Sequence, residues 1–291
     1  MNLDFILAIF KEMRIKQWTK NLFVFAAPLF HGTLFDSAYS IPTIEVFFAF
    51  SLLSSGVYFI NDIFDVEKDR LDPKKQNRPI AKGAITIKFA WIFSMFLFIV
   101  SMLVSFVINL EILYLLFSYF IVNILYTIRL KHILIIDVFI IAYGFLARAF
   151  AGAFAANILL TPWFLLCVFF LSIFLALGKR RHELNALEEN KIEEGRKVLK
   201  FYSIELIDQL TTIVSSSLII CYALFTTDKN TQNNDLMPLT IPLVIYGLFY
   251  YLYLVRIKKD GGAPEEILLK CPQILAVVLI YVCVIIGIRN I

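Results

Sequence analysis

Apolar residues run along this chain in nine blocks, at about 20–35, 41–60, 86–108, 110–128, 133–155, 161–178, 205–226, 238–256 and 273–289, with polar connections between them. Each block is long enough, or nearly so, for a helix to cross a hydrocarbon layer roughly 30 Å thick. The pattern predicts an all-α integral membrane protein of about nine transmembrane helices. The first block, interrupted by Pro28, is the weakest, and without it the count is eight. Residues 2–16 read as an amphipathic helix lying in the membrane interface, the alternative being a plain N-terminal extension. Their basic residues follow the apolar start instead of preceding it, which is not the order of a cleavable signal.

Composition agrees with the pattern. A chain that is 60% hydrophobic, with 29 Phe and 17% charged residues, falls in the membrane class, and soluble readings are excluded. Basic residues are retained in cytoplasmic connections, which tests the count. With the N-terminus inside, 24 of the 27 Lys and Arg fall on the inner side; Lys229 and Arg289 fall outside and Arg148 lies within a span. Nine crossings with an outer C-terminus therefore fit better than eight. The net charge of +4 does not point to nucleic acid, because the basic residues serve orientation and phosphate binding. No linker or low-complexity segment interrupts the blocks, so residues 1–291 read as one transmembrane domain. Its cytoplasmic connections are expected at 61–85, 129–132, 179–204 and 257–272, and its working face on that side. The four Cys and three His show no metal or disulfide spacing.

An acidic cluster follows the second block directly. Asp62, Asp65 and Asp69 are spaced i, i+3, i+7, so a helix continuing through them carries all three carboxylates on one face. Converging carboxylates at a membrane edge suit Mg2+, which completes its shell with substrate phosphates. A diphosphate substrate is the first expectation, with Lys74, Lys75 and Arg78 placed to bind the oxygens that the metal leaves free. The plain alternative is a solvated loop of mixed charge. A fainter echo lies between the fourth and fifth blocks, in Asn123 to Tyr126, Lys131 and Asp137. There Asp137 opens an apolar span, where an ionisable group is costly unless paired or metal-bound. Lys16 and Lys20 beside Trp18, and Lys179, Arg180 and Arg181 after the sixth block, read either as phosphate ligands or as interface anchors and an inner stop. Arg148 lies about 17 Å along its helix from Asp137, at 1.5 Å per residue. That is too far for a shared phosphate, and a partner inside the bundle is the expectation.

Several motifs together carry a resemblance. They are Asn61-Asp62-x-x-Asp65-x-x-x-Asp69-Arg70 with Pro73-x-Lys75-x-x-Arg78-Pro79, Lys16-Gln17-Trp18-x-Lys20-Asn21, Tyr126-x-x-x-Leu130-Lys131, Asp137-Val138, Gly144-Phe145-x-x-Arg148, Lys179-Arg180-Arg181-x-Glu183 and Gly261-Gly262-x-Pro264-Glu265-Glu266. The chain resembles the UbiA superfamily of intramembrane prenyltransferases over nearly its whole length, and more narrowly its decaprenyl-phosphate phosphoribosyltransferase branch. Two positions depart from the branch: Asp72, where His is more usual, and Lys270-Cys271 in place of an Arg-Asp-like pair.

The resemblance implies nine helices around a central cavity open to the cytoplasm. It implies Mg2+-dependent transfer of 5-phosphoribose from phosphoribosyl diphosphate to a polyprenyl phosphate, releasing diphosphate, in the supply of arabinofuranose-type precursors for envelope polysaccharide. Asp62, Asp65 and Asp69 would hold the metal and, with Asp137, form the catalytic set. Asn61, Arg70, Lys75, Arg78, Tyr126 and Lys131, together with Lys16, Lys20, Lys179, Arg180 and Arg181, would bind substrate and phosphates. The place would be the bacterial inner membrane, multi-pass, with N-terminus and active site cytoplasmic; assembly as a homo-oligomer is left open. The alternative within the superfamily is transfer of a prenyl chain from its diphosphate to an aromatic or quinone-precursor acceptor. A transporter without chemistry would want ionisable groups at mid-membrane, whereas most here lie at the inner edge.

Overall fold

A computed structural model describes residues 3–73, 75–188, 197–228, 236–258, 267 and 271–290, and its described residues are helical with no strand. The helices are α1 (Leu3–Glu12), α2 (Ala26–His31), α3 (Ser37–Phe64), α4 (Val66–Leu71), α5 (Ile87–Ile108), α6 (Leu110–Ile128), α7 (Ile136–Ala155), α8 (Pro162–Glu188), α9 (Ile204–Thr227), α10 (Ile241–Arg256) and α11 (Pro272–Asn290). Side-chain oxygens start several of them: Asp36, Thr86, Asn109 and Ser203 accept from the backbone N–H groups of Ala38, Phe89, Glu111 and Leu206.

Eight helices among the described residues are long and apolar enough to cross a membrane: α3 and α5 through α11. The ninth expected from the sequence is not one α-helix. Residues Ile15–Phe25 form a 3-10 helix that passes into the short α2, which stops at Gly32 with φ +86°. Tertiary contact accounts for the departure. The Val24 carbonyl lies on α7 so closely that a Cβ at Gly152 would stand 1.7 Å from its oxygen. Side chains of the same segment are stitched to α3, Trp18 Nε1 donating to Ser55 Oγ at 3.1 Å and Asn21 Nδ2 to Ser51 Oγ at 2.9 Å. Trp18 therefore binds within the bundle.

Two connections also differ from the expected loops. Helix continues through most of 61–71, and α8 runs on to Glu188, so Lys179, Arg180 and Arg181 stand on a helix. The Gly261 to Glu266 motif, Lys74 and Lys270 lie outside the described residues. The amphipathic reading of the N-terminus fits α1, which exposes Leu3, Leu7 and Phe10 and turns Ala8 and Glu12 inward.

The centre of the bundle is α3, packed against α5, α6, α7 and the 3-10 segment. Small residues let the neighbours close in: Ser94 Oγ donates to the Gly56 carbonyl at 2.9 Å and Ser101 Oγ to that of Ala49 at 2.8 Å. On its other side α7 packs against α8, and α8 against α9. α5 and α11 turn most of their apolar surface outward, as at Ile92, Phe106, Leu279 and Ile280, which is the signature of helices facing lipid. Arg148 has the internal partners expected of it. It donates to Asn21 Oδ1 at 2.7 Å, the Gly144 carbonyl at 2.5 Å and the Tyr119 hydroxyl at 3.2 Å, and it lies over the rings of Phe50, Tyr119 and Phe145.

Candidate active site

Asp62 occupies the last turns of α3 and is 2% exposed. Ser55, seven residues earlier, donates to the Met13 carbonyl at 2.9 Å, which fixes the N-terminal segment beside it. Arg14 is thereby delivered to Asp62: its Nη2 donates to both carboxylate oxygens at 2.5 and 2.6 Å, and its guanidinium lies 4.9 Å from the Tyr58 ring centroid. The Arg14 backbone is left-handed, φ 53° and ψ 48°. That conformation is uncommon outside glycine and is characteristic of functional sites that the surroundings over-determine.

From the opposite direction the segment after α4 folds back under the site. Ile80 and Ile85 are buried against Ala8, Met13, Phe59 and Val66, and Lys11 Nζ donates to the Asn77 carbonyl at 3.2 Å. This fold aims Arg78 inward, where one nitrogen, Nη1, donates to Asp62 Oδ1 at 3.0 Å and to Asp69 Oδ2 at 2.6 Å. Burial pushes the Asp69 carboxyl above its ordinary value, with Arg78 pulling against that rise.

Asp65 stands apart. α3 ends at Phe64 and α4 begins at Val66, so Asp65 is the one-residue break between them, with φ −98° and ψ 6°. The single continuous face expected from the spacing is lost there, and Asp65 instead meets Lys131 Nζ at 2.9 and 3.1 Å. Accordingly, no group of three metal-ligating side chains is gathered among the described residues.

The donor chemistry nevertheless fits a hard cation in part. Oxygens of Asp62 and Asp69, from either side of the break, both lie within 3.0 Å of one point, the Arg78 nitrogen, and two oxygens aimed at one positive centre are what Mg2+ ligation begins with.

Sequence reasoning missed Glu12. It is 2% exposed and lies against Asp62. Burial, and then its hydrogen bond with Asp62 and the charge there, push its carboxyl up to about 9, with Arg14 and Arg78 opposing. Arg14 was missed as a site residue too, because a basic residue near an inner boundary reads as topology. The one available signal was that Glu12 is the sole acid between Asp4 and Asp36, in a stretch of apolar and basic residues.

The remaining expected residues divide. Asn61 precedes Asp62 on α3, and Arg70 pairs with Glu67 at 3.0 Å while donating to the Ala81 carbonyl, away from the carboxylates. Lys75 pairs with Asp72 at 3.0 Å. Lys16 is exposed, and Lys20, Tyr126 and Lys179 are half-buried. Asp137 and Arg180, both 0% exposed, meet each other, Oδ2 to Nε at 2.8 Å, in a charge contact without hydrogen-bond alignment. Tyr202 donates to Asp137 at 3.0 Å and receives the Ile135 N–H, while Arg180 also pairs with Glu183. Burial and the Asp137 charge push the Tyr202 hydroxyl up to about 12, so it stays a donor. Arg181 binds Asp208 at 2.9 Å and the Val255 carbonyl at 2.9 Å, fastening α8 to α9 and α10. Asp137, expected in the catalytic set, and Arg180 and Arg181, expected on phosphates, are thus engaged with one another and with neighbouring helices. The structure does not bring them to Asp62 and Asp69.

Comparison with known proteins places this geometry among relatives. The chain is 35% identical over 282 residues to a decaprenyl-phosphate phosphoribosyltransferase of Mycolicibacterium smegmatis, covering 92% of this chain and 87% of that one. It is 33% identical to the enzyme of the same name in Corynebacterium glutamicum, covering 96% and 86%. Among solved structures, a UbiA homolog from Archaeoglobus fulgidus bound to GPP and Mg2+ superposes with a TM-score of 0.75 at 18% identity, over 96% of this chain and 99% of that one. A profile of the UbiA prenyltransferase family matches residues 22–268. By that match and those relatives, the chain belongs to the UbiA prenyltransferase family.

Proposed function

We propose that the protein transfers 5-phosphoribose from phosphoribosyl diphosphate to a polyprenyl phosphate, with Mg2+, releasing diphosphate. The observation that carries this reading is the meeting of Asp62 and Asp69 on one Arg78 nitrogen, with Arg14 also on Asp62 and Lys131 on Asp65. Asp62 and Asp69 would hold the cation, and Asp65 would face the same diphosphate from across the helix break. Bound there, Mg2+ would neutralise the diphosphate and make it a better leaving group.

Three groups of the chain then change partners. Arg14, Arg78 and Lys131, each bonded to a carboxylate in this structure, would turn to phosphate oxygens when those carboxylates hold a cation. Charge-assisted bonds of this kind are the strong ones and fix orientation. As the C1–O bond of the pentose breaks with oxocarbenium character, the lipid phosphate, an anion already nucleophilic near neutral pH, attacks C1. No general base is required. The names of the relatives in Mycolicibacterium and Corynebacterium support the choice of pentose and lipid.

The site is placed at the cytoplasmic face of the bacterial inner membrane, supported by the one-sided distribution of Lys and Arg. The broken segment 15–31 would be the ninth crossing. At ~2.0 Å per residue in its 3-10 part and ~1.5 Å in α2 it reaches about 30 Å, the thickness of a hydrocarbon core. The product would feed envelope polysaccharide.

The test is transfer itself. Purified protein with Mg2+, radiolabelled phosphoribosyl diphosphate and a polyprenyl phosphate is expected to yield labelled lipid. Absence of label together with turnover of a prenyl diphosphate overturns the reading in favour of prenyl transfer.

A further inference from the structure

Tyr58 stands one helical turn before Asp62 on α3, so the two share a face. Its ring carries the Arg14 guanidinium, 4.9 Å from the centroid, and that guanidinium holds both oxygens of Asp62. The ring is therefore one wall of the site. Its hydroxyl is the unusual part. Tyr119, Tyr143, Tyr202, Tyr222 and Tyr281, packed inside the bundle, each engage a protein group through the hydroxyl, as interior polar groups nearly always do. The half-buried Tyr58 has no hydroxyl hydrogen bond among the described residues.

Positive groups surround that hydroxyl. The charges of Lys20, Arg148 and Arg14 reach it from the 3-10 segment, from α7 and from the turn after α1. Arg14 is held by Asp62, and Arg148 by Asn21, the Gly144 carbonyl and Tyr119. Lys20 is placed by 3-10 geometry, in which side chains three residues apart eclipse. Phe23 packs on Phe145 of α7 with 4.9 Å between ring centroids. Lys20, three residues earlier in the same row, therefore lies about 6 Å nearer the inner end, at ~2.0 Å per residue, on the side of the segment turned to α7. A phenol hydroxyl set among cations, with no protein acceptor, has an anionic oxygen as its complement.

We infer that the Tyr58 hydroxyl and the Lys20 ammonium form a second anion seat, one helical turn deeper in the membrane than the carboxylates, and that it binds a phosphate monoester. The inference rests on the proposed transfer reaction and divides its phosphates. Three phosphate-bearing groups meet in that reaction. The diphosphate belongs with the cation on Asp62 and Asp69 and with Arg14, Arg78 and Lys131. The two groups that remain, the lipid phosphate and the pentose 5-phosphate, are both monoesters, and neither has a seat among those residues.

The ring and the hydroxyl make separable demands. If Tyr58 serves only as the platform under Arg14, Phe does the same, since it keeps the ring and its place on α3. Phe cannot donate to a phosphate oxygen.

The experiment is equilibrium binding to the purified full-length protein in detergent with Mg2+, using radiolabelled polyprenyl phosphate, phosphoribosyl diphosphate and free diphosphate, each alone so that nothing turns over. Tyr58→Phe is expected to weaken binding of one of the first two by about 10–100-fold, the scale of one hydrogen bond to a charged group, with free diphosphate binding and the melting temperature retained. A loss confined to the polyprenyl phosphate assigns the seat to the lipid; one confined to phosphoribosyl diphosphate assigns it to the 5-phosphate. Lys20→Met is expected to weaken the same ligand, and it carries the test if Tyr58→Phe is not recovered folded. Unchanged affinity for both ligands, or a loss that extends equally to free diphosphate, overturns the inference. When the unaltered protein binds both substrates and forms labelled lipid while Tyr58→Phe binds them equally well, the inference alone falls. When the unaltered protein binds neither, the proposed reaction falls and the second seat with it.

Discussion

Replacing Asp137 by Leu is expected to unfold the inner end of the bundle before it impairs chemistry. Asp137 and Arg180 are both fully buried with 2.8 Å between Oδ2 and Nε. Removing one partner of such a pair leaves a buried charge uncompensated, at a cost of about 3–5 kcal/mol. Glu183 still reaches Arg180 in that variant, which keeps the loss toward the lower end. At 2–4 °C per kcal/mol for chains of comparable size, the expected fall in melting temperature is about 6–20 °C. Arg180→Met should fall in the same range. The double variant Asp137→Leu with Arg180→Met removes both charges, and apolar replacement of a whole buried pair is often neutral, so most of the loss should return. Thermal unfolding of the two single variants and the double in detergent gives the coupling as a mutant cycle. If the single variants melt with the unaltered protein and yet lose transfer activity, Asp137 acts on substrate and the structural assignment is wrong.

Other outcomes follow from the same geometry. Lys131→Met is expected to lower kcat/KM for phosphoribosyl diphosphate by about 10–100-fold, the scale of one charge-assisted hydrogen bond; an unchanged value removes Lys131 from the phosphate. Gly152→Ala should prevent the 3-10 segment from seating, since the new methyl would stand 1.7 Å from the Val24 oxygen, and should be read as loss of folded protein on size exclusion. Glu12 makes stability depend on pH in a definite direction. Its folded value of about 9 lies above the ordinary 4.5, so the folded state keeps a proton that the unfolded chain has lost between those values. Stability in EDTA should therefore fall as pH rises across that window, and Glu12→Gln should flatten the slope.

The fold class was legible because a membrane crossing is a property of composition over some twenty residues, which tertiary contact rarely overrides. Where it did, in Ile15–Phe25, the cause was a backbone approach at Gly152 and side chains bonded to Ser51 and Ser55, none of which leaves a periodic trace. Spacing placed Asp62 and Asp69 together but misplaced Asp65, because a one-residue interruption of the helix is invisible to a count of i, i+3, i+7. Arg78 and Lys131 were legible as cations near carboxylates. Glu12 and Arg14 were not, because packing of α1 on α3 brings them in. Asp137 and Arg180 read as chemistry because lone charges in apolar spans are costly, and that argument cannot tell a ligand from one member of a buried ion pair.

The contacts at the acidic cluster come from three separated stretches: the turn after α1 that carries Arg14, the folded-back segment with Arg78, and the short link holding Lys131. All of them precede residue 132, in a chain of 291. Every side chain that meets these carboxylates thus lies in the first half of the polypeptide, ahead of α7. Coexpressed halves split after His132 would put every one of these partners on a single fragment, while the 3-10 segment beside Arg14 would still have to seat on Gly152 of the other one.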